Sequence, residues 1–307
     1  MFDVLVCGSS NVDLLARVAH LPQPGETVLG KELQRLPGGK GLNQAIAAAR
    51  MGARTAMVGA IGADADGAWL ASWLEREGVD ITHLMQRSAT PTGLAYVCVA
   101  DDGENAIVVH GAANATLTPD EARHAVATSS TNIALAQLET PTASVAAFLE
   151  AARARGVRTI LNTAPAVDGT RALLALADVV VLNETELACY AREYVERPAD
   201  AATDVPLDVF AARARTLAAS TAVVTLGSRG ALVVTATDCV HHAAPTVEVI
   251  DTTGAGDCFC GTLAAALARG DSLHAATACA VRAASLAVTR LGAAPAMPYR
   301  TELESTL

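Results

Sequence analysis

Short apolar, β-rich runs alternate along this chain with longer Ala/Leu segments of helical period, and that alternation limits the fold more than any other feature. Residues 4–7, 55–58, 133–137, 159–162, 179–182 and 222–226 read as strands, and residues 43–51, 68–77, 143–155 and 207–219 as helices. Strand and helix in alternation imply crossover units, so the pattern predicts an α/β fold with a mostly parallel sheet covered by helices on both faces. Apolar residues make up 51% of the 307 and charged residues 18%, enough for a sizeable core.

Two stretches interrupt the rhythm. Residues 13–34 are punctuated by Pro and Gly (LPQPGETVLG), with β-like pieces and no helix. Residues 92–110 read as a hairpin, TGLAYVCVA and AIVVH around a DDGEN turn. Paired with each other they would form a small second sheet, either a lid over a pocket or plain edge strands. Residues 191–206 are polar and in places acidic, and read as a surface excursion. No tandem repeat or compositional break divides the chain, so one domain is expected over 1–307.

Charge and cysteine usage exclude several classes. The net charge is −10 with no Lys/Arg-rich run, which argues against nucleic acid as the main partner. No apolar run is long enough to span a bilayer, and the N-terminal residues lack a signal-peptide pattern. The seven cysteines are scattered, odd in number and free of C-x-x-C spacing, as in a cytoplasmic enzyme with reduced thiols. Neither Cys258 and Cys260 nor His241 and His242 brings a zinc-like set of ligands.

The sharpest local signal is Asp251-Thr252-Thr253-Gly254-Ala255-Gly256-Asp257, followed at once by the Ala/Leu segment CFCGTLAAALARG. The small-residue turn is then the N-terminus of a helix, where exposed N–H groups and the helix dipole hold an anion such as a phosphoryl group. Asp257, in the first turn, could accept a proton from an attacking hydroxyl. It could also do no more than complement the dipole. Phe259 stands where a dinucleotide fingerprint needs its third glycine, and Lys40 is followed by Gly41 rather than Ser or Thr, so there is no Walker A motif either.

Further polar clusters fall at the same expected edge of the sheet. Gly38-Gly39-Lys40-Gly41-Leu42-Asn43-Gln44 opens a helix with backbone donors, one cation and two amides, which suits a polyhydroxylated ligand. Asn11 and Asp13 follow the first strand, beyond whose carboxyl end ligands bind in open parallel sheets. Gln137-Leu138-Glu139, Asn183-Glu184-Thr185-Glu186 and the run Thr225, Leu226, Gly227, Ser228, Arg229, Gly230 end later strands. Singly, each is also an ordinary turn or cap, Glu186 a helix-start carboxylate and Arg229 a solvated turn residue. Their convergence on one edge favours a shared site.

The order N-x-D, GGKGxNQA, NxxE, T-x-G-S-R-G and D-T-x-G-A-G-D resembles the ribokinase family of carbohydrate kinases, from about Val4 to Tyr299. The resemblance implies a Rossmann-like, mostly parallel sheet sandwiched by helices, with residues 13–34 and 92–110 forming a β-sheet lid that also makes a homodimer contact. It implies that Asp257 is the catalytic base that deprotonates the 5-hydroxyl of ribose for attack on the γ-phosphate of ATP, with Gly254, Ala255 and Gly256 as anion hole. Asn11, Asp13, Gly39, Lys40, Asn43 and Glu139 fall on sugar-binding positions. Asn183 and Thr225 to Gly230 fall on nucleotide-binding positions, and Glu186 assists Mg²⁺ through water. Asp251, Thr253, Ala287, Arg290 and Gly292 match an activating K⁺ site, in which Ala296 replaces a frequent serine. Around Cys279 to Arg282, Val281 would give the adenine an apolar contact.

Other readings separate on single features. Lys40 in the GG motif sets the chain apart from fructokinases and ketodeoxygluconate kinases, and Asn11 with Asp13 favours a small free pentose over a nucleoside. Deoxyribose is the close competitor, differing by one hydroxyl. A non-catalytic sugar-binding regulator on the same scaffold would be expected to lose Asp257 or its anion hole.

Overall fold

The computed structural model describes residues 1–191, 205–217 and 219–304. Its strands are β1 (Phe2–Cys7), β2 (Asn11–Arg17), β3 (Glu32–Gly38), β4 (Thr55–Gly62), β5 (Asp80–Arg87), β6 (Gly93–Val99), β7 (Asn105–His110), β8 (Thr131–Ala136), β9 (Arg158–Asn162), β10 (Val179–Asn183), β11 (Thr221–Thr225), β12 (Ala231–Thr235) and β13 (Cys239–His242). The helices are α1 (Lys40–Arg50), α2 (Ala65–Arg76), α3 (Pro119–Thr128), α4 (Thr142–Ala154), α5 (Glu184–Tyr190), α6 (Leu207–Arg215), α7 (Ala255–Ala268), α8 (Leu273–Ala287) and α9 (Arg300–Glu304).

Nine strands form the large sheet in the order β13-β12-β11-β10-β9-β8-β1-β4-β5. All neighbours from β11 to β5 are parallel, and only β12 runs against the rest, pairing antiparallel with both β11 and β13. Alternation along β1 explains the two faces: Val4 and Val6 enter the core beneath α1, α2, α7 and α8, while Leu5 and Cys7 enter the one beneath α3, α4, α5 and α6. The order of strands reverses at β1, between β4 and β8. Such a switch point leaves a crevice beyond the carboxyl ends of the strands, the usual place for a ligand in a sheet of this kind.

The two rhythm-breaking stretches do form a second sheet, in the order β3-β2-β6-β7. β2 pairs antiparallel with β3 and parallel with β6, and β6 closes the expected hairpin with β7. Only Gly8, Ser9 and Ser10 separate β1 from β2, so the small sheet springs from the crevice itself. Its strands extend past the expected limits, from Asn11 to Gly38 around the first stretch, because every residue of β2 from Asn11 to Arg17 finds a partner on β3.

The alternation also concealed some elements. β5 and β13 are edge strands with broken apolar runs, β12 beside β13 is a short buried run (ALVV) outside the segments read as strands, and α3 is announced by its Thr118 capping box rather than by an apolar stripe. The helix expected over 207–219 ends at Arg215. Most of the polar excursion, residues 192–204, lies outside the described residues. Among those described, no helix is long and apolar enough to cross a membrane.

Candidate active site

Two glycine-led helix starts build the crevice. α1 follows Gly39, at φ 89°, and α7 follows Gly254, at φ 75°, left-handed conformations that a side chain would strain. The helices pack against each other with Gly261 of α7 at the contact, where a Cβ would lie 2.4 Å from the Gln44 carbonyl oxygen. That close approach brings the amides of α1 to the head of α7. Asn43 Nδ2 donates to Asp257 Oδ2 at 2.9 Å, and Gln44 Nε2 donates to Asp257 Oδ1 at 2.9 Å. Gln44 is itself fixed by Gln137 Nε2, which donates to its Oε1 at 2.7 Å, and its Nε2 also reaches Asn162 Oδ1 at 3.1 Å. The Asp257 carboxylate is therefore buried, clamped through both oxygens, and set in the first turn of a helix.

Charged groups gather around it. Asp257 and Glu139 hold the Lys40 ammonium more firmly protonated than usual, outweighing the opposite effect of burial. Asp13, on β2, lies against Gly38, where a Cβ would come within 2.0 Å of its carboxylate. Burial pushes Asp13 up to about 7, and the neighbouring charges of Glu139 and Asp257 push the same way, against Lys40. Glu139 accepts from Ser9 Oγ at 2.6 Å and from the Lys40 N–H at 3.1 Å. Asn43 Oδ1 is buried without a protein partner, and an orphan acceptor in a polar crevice suits a ligand hydroxyl.

In front of Asp257 lies a cavity of about 210 Å³, lined by Lys40, Asn162, Asn183, Glu186, Thr225 and the Thr252, Gly254, Ala255 and Gly256 turn. A Cβ on Gly256 would meet nothing within 4 Å, so the turn leaves open space where its backbone points. On the far wall Asn183 caps α5: its Oδ1 accepts the Glu186 N–H at 2.8 Å, and Glu186 Oε2 takes the Asn183 N–H at 3.0 Å. Thr163 Oγ1 donates to Glu186 at 3.1 Å, and burial still holds that carboxyl above its ordinary range.

The remaining sequence candidates divide. Leu226 is buried and can offer only its backbone. Gly227, Ser228 and Arg229 form one 3-10 turn; Ser228 and Arg229 line a neighbouring groove of about 370 Å³ with Pro206 and His241, not the Asp257 cavity. Arg229 pairs with Glu184 and lies over the Phe210 ring at 5.1 Å, so it is engaged rather than simply solvated. At Gly230 a Cβ would lie 2.0 Å from the His242 carbonyl oxygen, a close strand approach. Asp251 accepts the N–H groups of Thr253, at 2.9 Å, and Gly292, at 2.8 Å, tying Thr253 to the segment that carries Ala287 and Arg290. Burial would raise that carboxyl, but these bonds outweigh it and hold it below the usual range. Cys258 and Cys260 are buried, and burial pushes the Cys258 thiol up to about 12, so neither is poised as a nucleophile or ligand.

Asn162, Thr163 and Asn114 went unread in the sequence. Asn162 ends β9 and Thr163 follows it, at the same edge as the other clusters, a place that could have marked them. Asn114 lies beyond the hairpin, with no local signal at all.

A mostly parallel sheet with its crevice at the strand reversal, a small sheet hinged beside it, and a clamped acid at a helix start define a phosphotransferase with an alcohol group as acceptor. The sequence matches the pfkB family of carbohydrate kinases over residues 1–300, and the chain belongs to that family. A ribokinase of Haemophilus influenzae is 36% identical over 300 residues, covering 97% of this chain and 95% of its own. The solved ribokinase of Thermotoga maritima gives a TM-score of 0.87 at 31% identity over 99% of both chains. That of Arabidopsis thaliana, solved in complex with ribose and ATP, gives 0.83 at 31% identity over 99% of this chain and 97% of its own.

Proposed function

We propose that this enzyme transfers the γ-phosphoryl group of ATP to the 5-hydroxyl of D-ribose, giving D-ribose 5-phosphate and ADP, with Asp257 as general base. The observation that carries this reading is the Asp257 carboxylate held through both oxygens by Asn43 and Gln44 while its helix start faces the cavity. Asp257 takes the hydroxyl proton as the sugar oxygen bonds to phosphorus and the bond to the β-phosphate oxygen breaks. The N–H groups of Gly254 and Gly256 stabilise the charge that develops on the phosphoryl oxygens and Lys40 adds a fixed cation, whereas the Ala255 N–H expected beside them donates to the Thr252 carbonyl oxygen at 3.2 Å and closes the turn. Asn11, Asp13, Gly39, Lys40, Asn43 and Glu139 hold the sugar, while Asn183 and the Thr225 to Gly230 turn hold the nucleotide.

Two cations fit the residues present. Glu186 is a single buried carboxylate already bonded to Thr163 and Asn183, which suits a Mg²⁺ ion that keeps its waters and binds mainly through ATP. Asp251, Thr253, Ala287, Arg290 and Gly292 supply the carboxylate, hydroxyl and carbonyl oxygens that a K⁺ ion takes, and Asp251 already joins the two segments. When bound, Mg²⁺ neutralises phosphate charge and K⁺ orders the anion-hole turn.

The chain works as one unit, with the small sheet as lid. The exposed apolar side chains Leu33, Tyr96, Ile107, Val108 and Val109 on that sheet support its pairing with a second copy, a homodimer that light scattering would detect. A coupled ADP-release assay with ATP, Mg²⁺ and K⁺ across ribose, 2-deoxyribose, fructose and adenosine tests the function. The expected result is the highest kcat/KM with ribose; preference for another acceptor would overturn the sugar assignment.

A further inference from the structure

We propose that Asn114 is a positioning residue for sugar recognition: it locks the amide of Asn11 so that the Nδ2 donors, rather than the oxygen, face the substrate. The proposal rests on the sugar-kinase reading above and deepens it. Asn114 lies in the 3-10 turn Ala112–Thr116 just after β7 and is wholly buried. Its Oδ1 accepts the Ser10 N–H at 2.9 Å, and its Nδ2 donates to the Ser10 carbonyl oxygen at 3.1 Å. A backbone N–H can only donate and a carbonyl can only accept, so these two bonds leave the Asn114 amide a single orientation. The second Nδ2 hydrogen meets Asn11 Oδ1 at 2.8 Å. Rotating the Asn11 amide would set two donors against each other in a buried place, so Asn11 must turn its oxygen toward Asn114.

What remains on Asn11 is a pair of Nδ2 hydrogens, and among the described residues they have no protein acceptor. Asn11 and Asp13 are two residues apart on β2 and so project from one face, the face on which Asp13 meets Glu139 and Asp257. A fixed donor beside carboxylate acceptors is complementary to a hydroxyl, which donates to one and accepts from the other. The fit leaves no slack, since a Cβ on Gly93 would lie 2.2 Å from Asn11 Oδ1 and 2.4 Å from Asn114 Nδ2. Ala112, at φ 44°, has the one positive φ of a non-glycine among the described residues, and it turns the chain out of β7 into the segment that carries Asn114. Backbone strain of that kind persists where the surroundings demand it.

The experiment is a double-mutant cycle of wild type, Asn114→Ala, Asn11→Ala and the double variant, with ribose Kd from titration calorimetry, steady-state kinetics, and folding checked by circular dichroism. A structural role alone would give the same loss in ribose affinity with or without Asn11. The expected result is non-additivity: Asn114→Ala weakens ribose binding roughly tenfold in the wild-type background, the scale of one hydrogen bond, and about twofold or less in the Asn11→Ala background. Asn114→Asp, assayed at a pH high enough to ionise the buried carboxyl so that it cannot donate, should turn the Asn11 amide around and raise KM for ribose while kcat and KM for ATP hold. Equal factors in both backgrounds, or an unchanged ribose KM in Asn114→Asp, overturn the proposal alone. Wild-type enzyme that neither binds nor turns over ribose overturns the functional reading and the proposal together. Asn114→Ser, which keeps a hydroxyl for Ser10, takes the place of any Asn114 variant that fails to fold.

Discussion

The starts of α1 and α7 look alike in the sequence, each a glycine-rich turn followed by a helix, yet they do different work. At α1 the glycines are crowded by backbone: a Cβ on Gly41 would lie 2.6 Å from Gly8 and Ser9, and one on Gly39 would lie 2.8 Å from the Asn11 nitrogen. At α7 the turn is held from behind, by Ala293 against Gly254, while Gly256 faces open space. One turn is small so that the chain can pack on itself. The other is small so that something else can approach. The α1 turn thus delivers Asn43 and Gln44 to a fixed point, where they hold Asp257, and the α7 turn leaves open space beside that acid at Gly256.

If that division holds, the largest effect belongs to the acid at the head of α7. Asp257→Asn should cut kcat by about two orders of magnitude or more, the usual weight of a general base, while fold and ATP affinity stay near wild type. Stopped-flow or coupled kinetics beside calorimetric ATP binding would check it, and undiminished turnover would remove Asp257 from the chemistry.

Gly41→Ala probes the crowded turn. Its Cβ collides with the backbone of Gly8 and Ser9, so a loss of about 2–3 kcal/mol in stability is expected. A denaturant midpoint equal to wild type would show that the α1 start has room after all.

Asp13 links the two starts electrostatically and should make the ligand-free protein sensitive to pH. Its folded carboxyl is raised from 3.8 to about 7. Between those values the folded state binds more protons than the unfolded state, so this group makes stability fall as pH rises from about 4 to about 7. Asp13→Asn should be indistinguishable from wild type near pH 4 and more stable near pH 8 by on the order of 2 kcal/mol, while binding ribose less tightly. Parallel melting curves for the two proteins across that range would contradict the burial of a charge at this place.

The smallest effect, and opposite in sign to the Gly41 variant, is expected of Gly256→Ala. With nothing to collide with and a helical backbone, it should gain about 0.5–1 kcal/mol of stability. Its methyl group enters the cavity, so turnover should fall even as the melting temperature rises. Activity and stability falling together would mean that the α7 turn is crowded like that of α1.

Much of this arrangement was legible beforehand, for identifiable reasons. The strands of the sheet interior are buried on both faces, and their unbroken apolar runs stand out from the Ala/Leu helices between them. Edge elements such as β5 and β13 are half solvated and carry no such signature. In the candidate site, Asn11, Asp13, Lys40, Asn43, Glu139 and Asp257 stood out as polar residues because each follows a strand or opens a helix at one edge. The clamp of Gln44 and Gln137 on the base, and that of Asn114 on Asn11, did not. These contacts join residues 93 and 103 positions apart in sequence, and hydrogen bonds between buried amides leave no local pattern.

The sequence by itself determined the alternation of elements, the parallel sheet and the polar chemistry gathered at its carboxyl edge, because periodicity and turn residues are local properties of the chain. Only the tertiary structure decided which glycine turn is filled and which stays open, which amide faces which carboxylate, and that Asp13 is a half-buried acid that feels the charge of two others. Those outcomes depend on how closely two helices and two sheets approach one another, and that distance is set jointly by side chains far apart in sequence.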